Sequence, residues 1–540
     1  MTEVRTDPIA VLKAAVADAV AELHPGVREA TLERPPRAEM GDYSTNAAML
    51  AAPVLGSPPR DVASKLADGV SARLGESVER IEVAGPGFLN LHMSEAWMRT
   101  AVGHVVDSGE RFGADVVDSP RSILIEFVSA NPTGPLTVAS GRHAAYGDGL
   151  ARVLDFAGHR VQREYYLNDT GSQVRLFGES IAARMKGTAV PEGGYEGDYI
   201  AELAERITAE GGEALDGSEL AARGLEVMVE SISSTLERAR VHFDRWSSER
   251  ALHEAGAIED SIAALRDRGI VYESDGAVWL RTSEFGDDKD RVLIKSNGEP
   301  TYFAPDIAYH RDKLSRGPDL MIDVLGADHH GYLGRMRAVL VALGAPAEAF
   351  EVAIMQMVNL VEDGKRTQMS KRRGEFAMFD ELLDDIGVDA ARFFLLMRSH
   401  DTAIDIDLEL ARRKSNDNPV YYVQYAHARI CSLFRAVAER GGDDGGTAPS
   451  GSLEPAERAL IARLLDFPGQ VRRAANAREP HAIATYVREV AADFHAFYRD
   501  CRVVGAGSGL QSARLQVCEA TKLVIASSLE LLGIEAPEEM

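Results

Sequence analysis

Ser122-Ile-Leu-Ile-Glu-Phe-Val128 is almost continuously apolar, and the chain then passes through Ser129-Ala-Asn-Pro-Thr-Gly-Pro135 into a segment with helical spacing. An apolar run of this length suits a parallel strand covered on both faces. The two prolines and the glycine of the loop favour extended or turn backbone, and beyond Gly141 the apolar positions Val153, Leu154 and Phe156 lead to Gly158 as a helix stop. A buried strand that runs through such a loop into a helix N-terminus aims backbone N–H groups and the positive end of the helix dipole at one place. A phosphate can sit there, so the stretch predicts the start of a nucleotide site.

The rest of the chain supplies partners for that strand. Strand-like runs return at Arg291-Val-Leu-Ile294, Leu320-Met-Ile-Asp-Val-Leu325 and Val352-Ala-Ile-Met-Gln-Met-Val-Asn-Leu-Val361, with helical stretches between them. This alternation predicts an α/β, doubly wound parallel sheet, in which ligands bind at the carboxyl ends of strands. Residues 200 to 270 are helical by pattern and read as an insertion in the nucleotide-binding fold. Residues 1 to about 100 form an α/β module, with helical spacing from Ile9 to Val16, a strand over Val78-Glu-Arg-Ile-Glu-Val83 and a turn at Gly85-Pro-Gly87. From about residue 380 onward no strand is evident, and the last third reads as an all-helical bundle interrupted by a flexible connector from Gly441 to Ser452. The expected domains are 1–105, 118–385 with a helical insertion around 170–270, and 386–540.

With 540 residues, 45% hydrophobic and 26% charged, the chain is expected to be soluble and to divide among several cores. Its net charge of -25 excludes a general electrostatic grip on nucleic acid, so any such contact uses local basic patches, of which Arg412-Arg-Lys414 is one. Cys431, Cys501 and Cys518 lack paired-ligand spacing and read as reduced thiols. No apolar run approaches the length of a membrane span, and the expectation is a cytoplasmic protein with no membrane contact. Adjacent histidines at His329 and His330 point to opposite sides of a strand, and no metal site is predicted there.

Gly41-Asp-Tyr-Ser-Thr-Asn46, Glu126-Phe-Val-Ser-Ala-Asn-Pro-Thr-Gly-Pro-Leu136, Tyr165-Tyr-Leu-Asn-Asp169 and Pro300-Thr-Tyr-Phe-Ala-Pro-Asp-Ile-Ala-Tyr-His310 follow one another in a specific order. Gly326-Ala-Asp-His-His-Gly-Tyr332, Gln368-Met-Ser-Lys371 and Asn418-Pro-Val-Tyr-Tyr-Val-Gln-Tyr-Ala-His-Ala-Arg429 continue it. Together they closely resemble the bacterial arginyl-tRNA synthetases, which are class I aminoacyl-tRNA synthetases, over essentially the whole chain. The resemblance implies a Rossmann-type catalytic domain, an N-terminal module that holds the tRNA elbow and a C-terminal anticodon-binding bundle. It implies ATP with Mg2+, L-arginine and tRNA(Arg) as ligands, and a monomer.

The resemblance also assigns residues. Glu126 is to face the arginine guanidinium, which a carboxylate can pair in bidentate fashion, with Ser129, Asn131, Tyr302, Asp306, Asp328 and His329 completing the arginine pocket. Pro135, Leu136, Ala139, Gly141, Gln368, Met369 and Ser370 are to line ATP. Thr137, Ser140 and Lys371 are to be catalytic, Lys371 by steadying the β and γ phosphates as pyrophosphate leaves. Asp42, Tyr43 and Asn46 in the N-terminal module, and Tyr421, Tyr422, Gln424 and Tyr425 in the bundle, are to contact tRNA. Read by itself, Gly41-Asp-Tyr-Ser-Thr-Asn46 is a helix cap with a half-buried tyrosine. Positions as close as 421 to 425 cannot all face one surface, so half of them are also expected to pack inward.

One departure stands out. Where the family carries the HIGH motif, usually His-Val-Gly-His, this chain has Thr137-Val-Ala-Ser140, and Gln368 replaces the first lysine of the KMSK loop. Losing one phosphate donor in a transition state costs ~3 kcal/mol, or roughly a hundredfold in rate. Thr137 and Ser140 still offer hydroxyl donors at a helix N-terminus, and His143 follows one turn later. The implied activity is that of an arginine–tRNA ligase. A non-catalytic paralogue that binds tRNA or arginine is the alternative, and an enzyme passing activated arginine to another acceptor is a third.

Overall fold

The computed structural model describes residues 7–25, 30–327, 331–367, 377–439, 452–507 and 509–540. The apolar run forms a strand over Ser122–Glu126 and becomes the middle of a five-stranded sheet. Across that sheet run Phe350–Met355, Leu320–Gly326, Ser122–Glu126, Arg160–Leu167 and Arg245–Ser248, all parallel. The chain leaves the middle strand toward one edge and later returns to build the other. The topological switch therefore falls between Ser122–Glu126 and Leu320–Gly326, the place where such sheets open a crevice. The helix Val138–Phe156, here called the crevice helix, starts at the carboxyl end of the middle strand. It lies close because Gly147 has no Cβ where the Phe127 ring packs.

Several elements differ from the sequence expectation, each for an identifiable reason. Arg245–Ser248 is an edge strand inside the segment read as an insertion; with one neighbour and four residues it needs no apolar run. Helices Ser172–Met185, Asp198–Ala209 and Gly217–Arg238 form the crossover that leads to it and have a core of their own. Arg291–Ile294 was expected in the parallel sheet but belongs to an antiparallel one, with Val271–Ser274 and Ala277–Leu280. A two-residue turn at Asp275 and Gly276, both at positive φ, folds those strands locally.

The run from 352 to 361 breaks at Gln356 and Met357. Its second half, Val358–Glu362, pairs antiparallel with Lys365–Thr367 and parallel with Ile404–Asp407. Ile404–Asp407 corrects the expectation that no strand follows residue 380; its Ile-Asp-Ile-Asp alternation is too short to stand out. The helical bundle proper begins at Pro419–Glu439 and continues through Pro455–Leu465, Phe467–Ala477, His481–Asp500 and Leu510–Leu531. The expected connector from 441 to 452 lies, except for its last residue, outside the described residues.

At the other end of the chain, Leu32–Glu33, Tyr43–Thr45, Phe88–Met93 and Val78–Ala84 make a four-stranded antiparallel sheet covered by helices Pro8–Leu23, Ala47–Leu55 and Pro59–Leu74. One apolar core runs without a break through this module, the parallel sheet and the bundle. Two buried ionic ties cross it. Arg458 of the bundle pairs in bidentate fashion with Asp42 of the N-terminal module, at 2.7 and 2.6 Å. Arg392, fully buried, donates to Asp148 of the crevice helix at 2.5 Å and to the carbonyls of Ala239 and Leu532, both at 2.8 Å.

Arg458→Met leaves the Asp42 carboxylate buried without its partner, and should lower stability by about 2 kcal/mol, given that Arg458 is partly solvated. Adding Asp42→Asn to Arg458→Met should recover part of that loss, which a double-mutant cycle on the unfolding transition measures. Additive losses would contradict the tie.

Candidate active site and nucleic-acid surface

Three carboxylates stand in register across the three inner strands, Glu126 at the carboxyl end of the middle one: Asp323 lies opposite Glu126, and Glu126 opposite Glu164. In a parallel sheet such neighbours share one face, and all three are buried. One helix, Phe303–Ser315, with the residue that follows it, lays basic side chains along this row at a spacing of three residues. His310 bonds Asp323 at 2.8 Å; Lys313 bonds Asp323 at 2.8 Å and also Glu126; Arg316, at the helix end, grips Glu164 at 2.7 and 3.0 Å. Burial by itself would push Asp323 and Glu164 up, but their cations outweigh it and hold both below the usual carboxylate range. Lys313 has no exposed surface; burial would lower its pKa, and Asp323 and Glu126 raise it above the ordinary lysine value.

This row corrects the reading of Glu126 as a lone carboxylate. One of its oxygens already meets Lys313, and the other accepts the Ser129 hydroxyl at 2.8 Å. Ser129 also accepts the Tyr166 amide at 3.1 Å, and it and Val128 sit at positive φ, 39° and 66°. For a β-branched residue that is a strained conformation, held by the packing around it at the mouth of the crevice.

The carboxylates left over are Asp306 and Glu249. Asp306 lies one helical turn before His310, and among the described residues no lysine or arginine pairs with it. Burial drives its pKa up to about 7; nearby Glu126 and Glu249 add to the rise, and His310 opposes it. Glu249, at the start of the short helix after the edge strand, is also raised by burial, beside Tyr166, His253 and Asp169. Asp169 holds that helix in place by accepting the Arg250 amide at 2.9 Å and the Ser248 hydroxyl at 2.6 Å. Tyr166 and Tyr309 stack at 4.1 Å against this pocket. Two half-buried carboxylates that no described lysine or arginine pairs with, beside aromatic rings, suit a planar cation with several N–H donors.

Asp306 was expected from the sequence, but Glu249, Lys313 and Asp323 were not. The missed signal was a single acid inside each apolar strand, together with the three-residue spacing of His310, Lys313 and Arg316. Asn131 is exposed and joined to Asn168 and Gln173 in a chain of amides at the pocket's edge. Tyr302 is not in the pocket: it is 87% exposed at the start of its helix, where the backbone turns it outward. Asp328 and His329, and Gln368, Met369, Ser370 and Lys371, lie outside the described residues.

At the start of the crevice helix Thr137 is the N-cap. Its hydroxyl oxygen accepts the Ser140 amide at 3.3 Å, and the two hydroxyls lie 3.2 Å apart. The pair has two hydroxyl protons and the mutual bond uses one, so one remains for a ligand. Val138 and Gly141 donate their amides to Ala377 and to Thr137, while Ala139 is exposed at the rim with half-buried Pro135 beside it. Leu136 is a core residue, and Gly141 faces inward, its missing Cβ making room for the Phe379 ring. Neither side of these two residues is offered to a nucleotide. His143 is half-buried further along the helix.

Tyr43, 1% exposed and set edge-on to Trp97, is fully buried and cannot touch an RNA. Asp42 is committed to Arg458, and Asn46, partly exposed, accepts the Thr31 amide. In this segment the exposed apolar side chain is Met40. In the bundle Gln424 is buried and donates to Asp389 at 2.7 Å and to the Glu535 carbonyl, so base-edge contact is closed to it. Arg412 is neutralised by Asp385 and Glu362, which corrects its reading as a basic patch. Tyr421 and Tyr425 lie parallel with ring centres 6.1 Å apart, and Tyr422 packs on His495. Tyr425 lines a cavity of about 810 Å³ with Arg429, Ser432, Arg435, Tyr498 and Met540. There Arg429 lies over the rings of Tyr498, at 4.2 Å, and Tyr425, at 5.6 Å. Stacked aromatics and a guanidinium are what unpaired bases bind.

Comparison with known proteins bears on both surfaces. Residues 10–93 match the family described as arginyl tRNA synthetase N terminal domain, 215–413 that of tRNA synthetases class I (R), catalytic domain, and 423–540 that of the DALR anticodon binding domain. The chain is 44% identical over 526 residues to an arginine–tRNA ligase of Carboxydothermus hydrogenoformans, covering 94% of each. Among solved structures it is similar to a putative arginyl-tRNA synthetase of Campylobacter jejuni, 34% identical, with a TM-score of 0.77, over 83% of this chain and 100% of that one. It is similar also to arginyl-tRNA synthetase of Thermus thermophilus, 25% identical, with a TM-score of 0.78, over 98% of this chain and 100% of that one.

Asp306 should show its raised pKa in solution. Asp306 has a raised folded pKa, so the folded state holds its proton longer than the unfolded one, and stability falls as pH rises from about 4 through about 7. Asp306→Asn should therefore raise Tm at pH 8 and leave it nearly unchanged near pH 4, by thermal scans without ligand. A lower Tm at pH 8 would show that Asp306 has a cation partner.

Proposed function

The chain belongs to the arginyl-tRNA synthetases, the class I enzymes that join arginine to its tRNA at the expense of ATP, and from that premise we propose how its own residues divide the work. Asp306 and Glu249 take the guanidinium, with Glu126 as a third, already compensated carboxylate beneath it. The observation that carries this assignment is the Asp306 carboxyl, buried beside a second acid with no lysine or arginine among the described residues to answer it. A guanidinium supplies the missing charge in the planar form that two carboxylates can share. Asn131 and its amide neighbours lie where the amino acid's own polar groups can be held.

The arginine carboxylate attacks the α-phosphorus of ATP, and pyrophosphate leaves. The 2′-hydroxyl of the terminal ribose of tRNA then takes the arginyl group from the adenylate. Catalysis here is positioning and stabilisation of phosphate charge. Thr137 and Ser140 provide one spare hydroxyl proton between them, together with the helix end and the Ala139 amide. Lys371 provides a cation for the leaving phosphates. Magnesium arrives on the triphosphate as part of the substrate. Tyr421, Tyr425, Arg429 and Tyr498 are proposed to hold anticodon bases, and arginine activation is proposed to need bound tRNA. We further propose that the protein acts as a cytoplasmic monomer.

One observation favours a second reading. The oxygen of Thr137 is spent on the helix cap, so Thr137 and Ser140 give a phosphate fewer donors than two histidines do. A non-catalytic, tRNA-binding relative would fit that.

Arginine-dependent exchange of pyrophosphate into ATP decides between them, measured with and without cognate tRNA, beside a triple variant carrying Thr137→His, Ala139→Gly and Ser140→His. The ligase reading predicts tRNA-dependent exchange in the unaltered chain. No exchange while tRNA still binds would leave the non-catalytic reading.

A further inference from the structure

Arg142, two residues beyond Ser140, is 1% exposed, and no described carboxylate hydrogen-bonds to it. One Nη donates to the carbonyls of Gln356 at 2.6 Å and Met357 at 3.2 Å, and the other to those of Ser399 at 3.0 Å and Thr402 at 2.7 Å. Burial brings its pKa down to about 10, which leaves it protonated at neutral pH. Taking a guanidinium out of water to meet only backbone carbonyls is costly. Its geometry explains what it achieves: a rigid planar fork reaches two loops at once, which a lysine's single ammonium does not.

The two loops are also joined to each other. Gln356 donates its amide to His400 at 2.9 Å, and Ile404 donates to the Met357 carbonyl at 3.0 Å. They meet at the carboxyl end of Phe350–Met355, on the crevice side of the sheet, where Met357 is 68% exposed. Among the described residues, Tyr302 is the one large apolar side chain that is more open. An apolar side chain held out at a nucleotide-binding edge suits the flat face of a base.

We propose that Arg142 is a positioning residue for ATP. It fixes the bend at Gln356 and Met357 against the first turns of the crevice helix. The base then packs on Met357 while the phosphates meet the helix end at Thr137 and Ser140, both carried by one rigid frame. The inference rests on the ligase reading and adds to it a residue that touches no substrate.

The test compares Arg142→Lys and Arg142→Met with the unaltered protein, whose exchange activity is established first. Both variants should raise KM for ATP and lower kcat of exchange, together by about tenfold or more in kcat/KM. KM for arginine and the affinity for tRNA should stay unchanged. On the unaltered protein, amide hydrogen exchange at residues 356–362 and 400–404 should slow when ATP is added and not when arginine alone is added. A folded variant with unchanged KM for ATP, an equal rise in KM for both substrates, or no ATP-dependent protection at those amides overturns the proposal. Absence of exchange in the unaltered protein counts instead against the ligase reading, and the protection experiment then still decides whether ATP meets this frame.

Discussion

The row of Asp323, Glu126 and Glu164 across three adjacent strands is the constraint on which the rest of the site depends. Like charges in register on a buried face repel, and without partners they would take up protons or part the strands. His310, Lys313 and Arg316 prevent both, because a helix repeats its face every three to four residues and the strands lie side by side under it. With those basic side chains committed, the same helix carries Asp306 one turn earlier, where among the described residues no lysine or arginine pairs with it. The proposed selectivity of the pocket thus rests on the acids, Asp306 and Glu249, that no described lysine or arginine pairs with.

The crevice helix plays a corresponding part for the nucleotide and for the domains. Successive turns reach outward in different directions: Thr137 to its own cap, Arg142 to the loops at 356–357 and 399–402, Tyr146 to the Arg478 carbonyl at 3.0 Å, and Asp148 to Arg392. Through Arg392 and Arg240 the helix is continuous with Asp389, Gln424 and Glu535, a few residues before Glu539 and Met540, which line the Arg429 cavity. A proposed dependence of arginine activation on tRNA needs such a connection between two distant surfaces, whose energetic coupling only a functional measurement can establish.

Much of the fold was legible because its signals are local. The strand at Ser122–Glu126, the helix that follows, the N-terminal helix and the Val78–Ala84 strand are visible as apolar periodicity with turn residues at their ends. The short edge strands at Arg245–Ser248 and Ile404–Asp407 were not, since an edge buries little and four residues carry no period. In the site, Asp306, Ser129 and the cap at Thr137 are where a sequence reading looks for them. That Glu126 already has a partner was not legible, because Lys313 is 187 residues away and nothing local says that an ammonium fills the space beside it. Tyr43 and Gln424 show the same limit: polar side chains within a recognised motif can belong to interior packing, which spacing along one segment does not reveal.

The most direct test of the central claim is a count of protons. Isothermal titration of arginine into the protein with cognate tRNA present, repeated at pH 7 in two buffers of different ionisation enthalpy, measures protons released on binding. If the guanidinium answers Asp306, whose pKa burial pushes up to about 7 before arginine binds, a fraction of a proton leaves per arginine bound. Release should vanish in Asp306→Asn and diminish as pH is raised to 9. Binding with no proton released at pH 7 would contradict the account, since Asp306 would then be ionised and already paired before the substrate arrives.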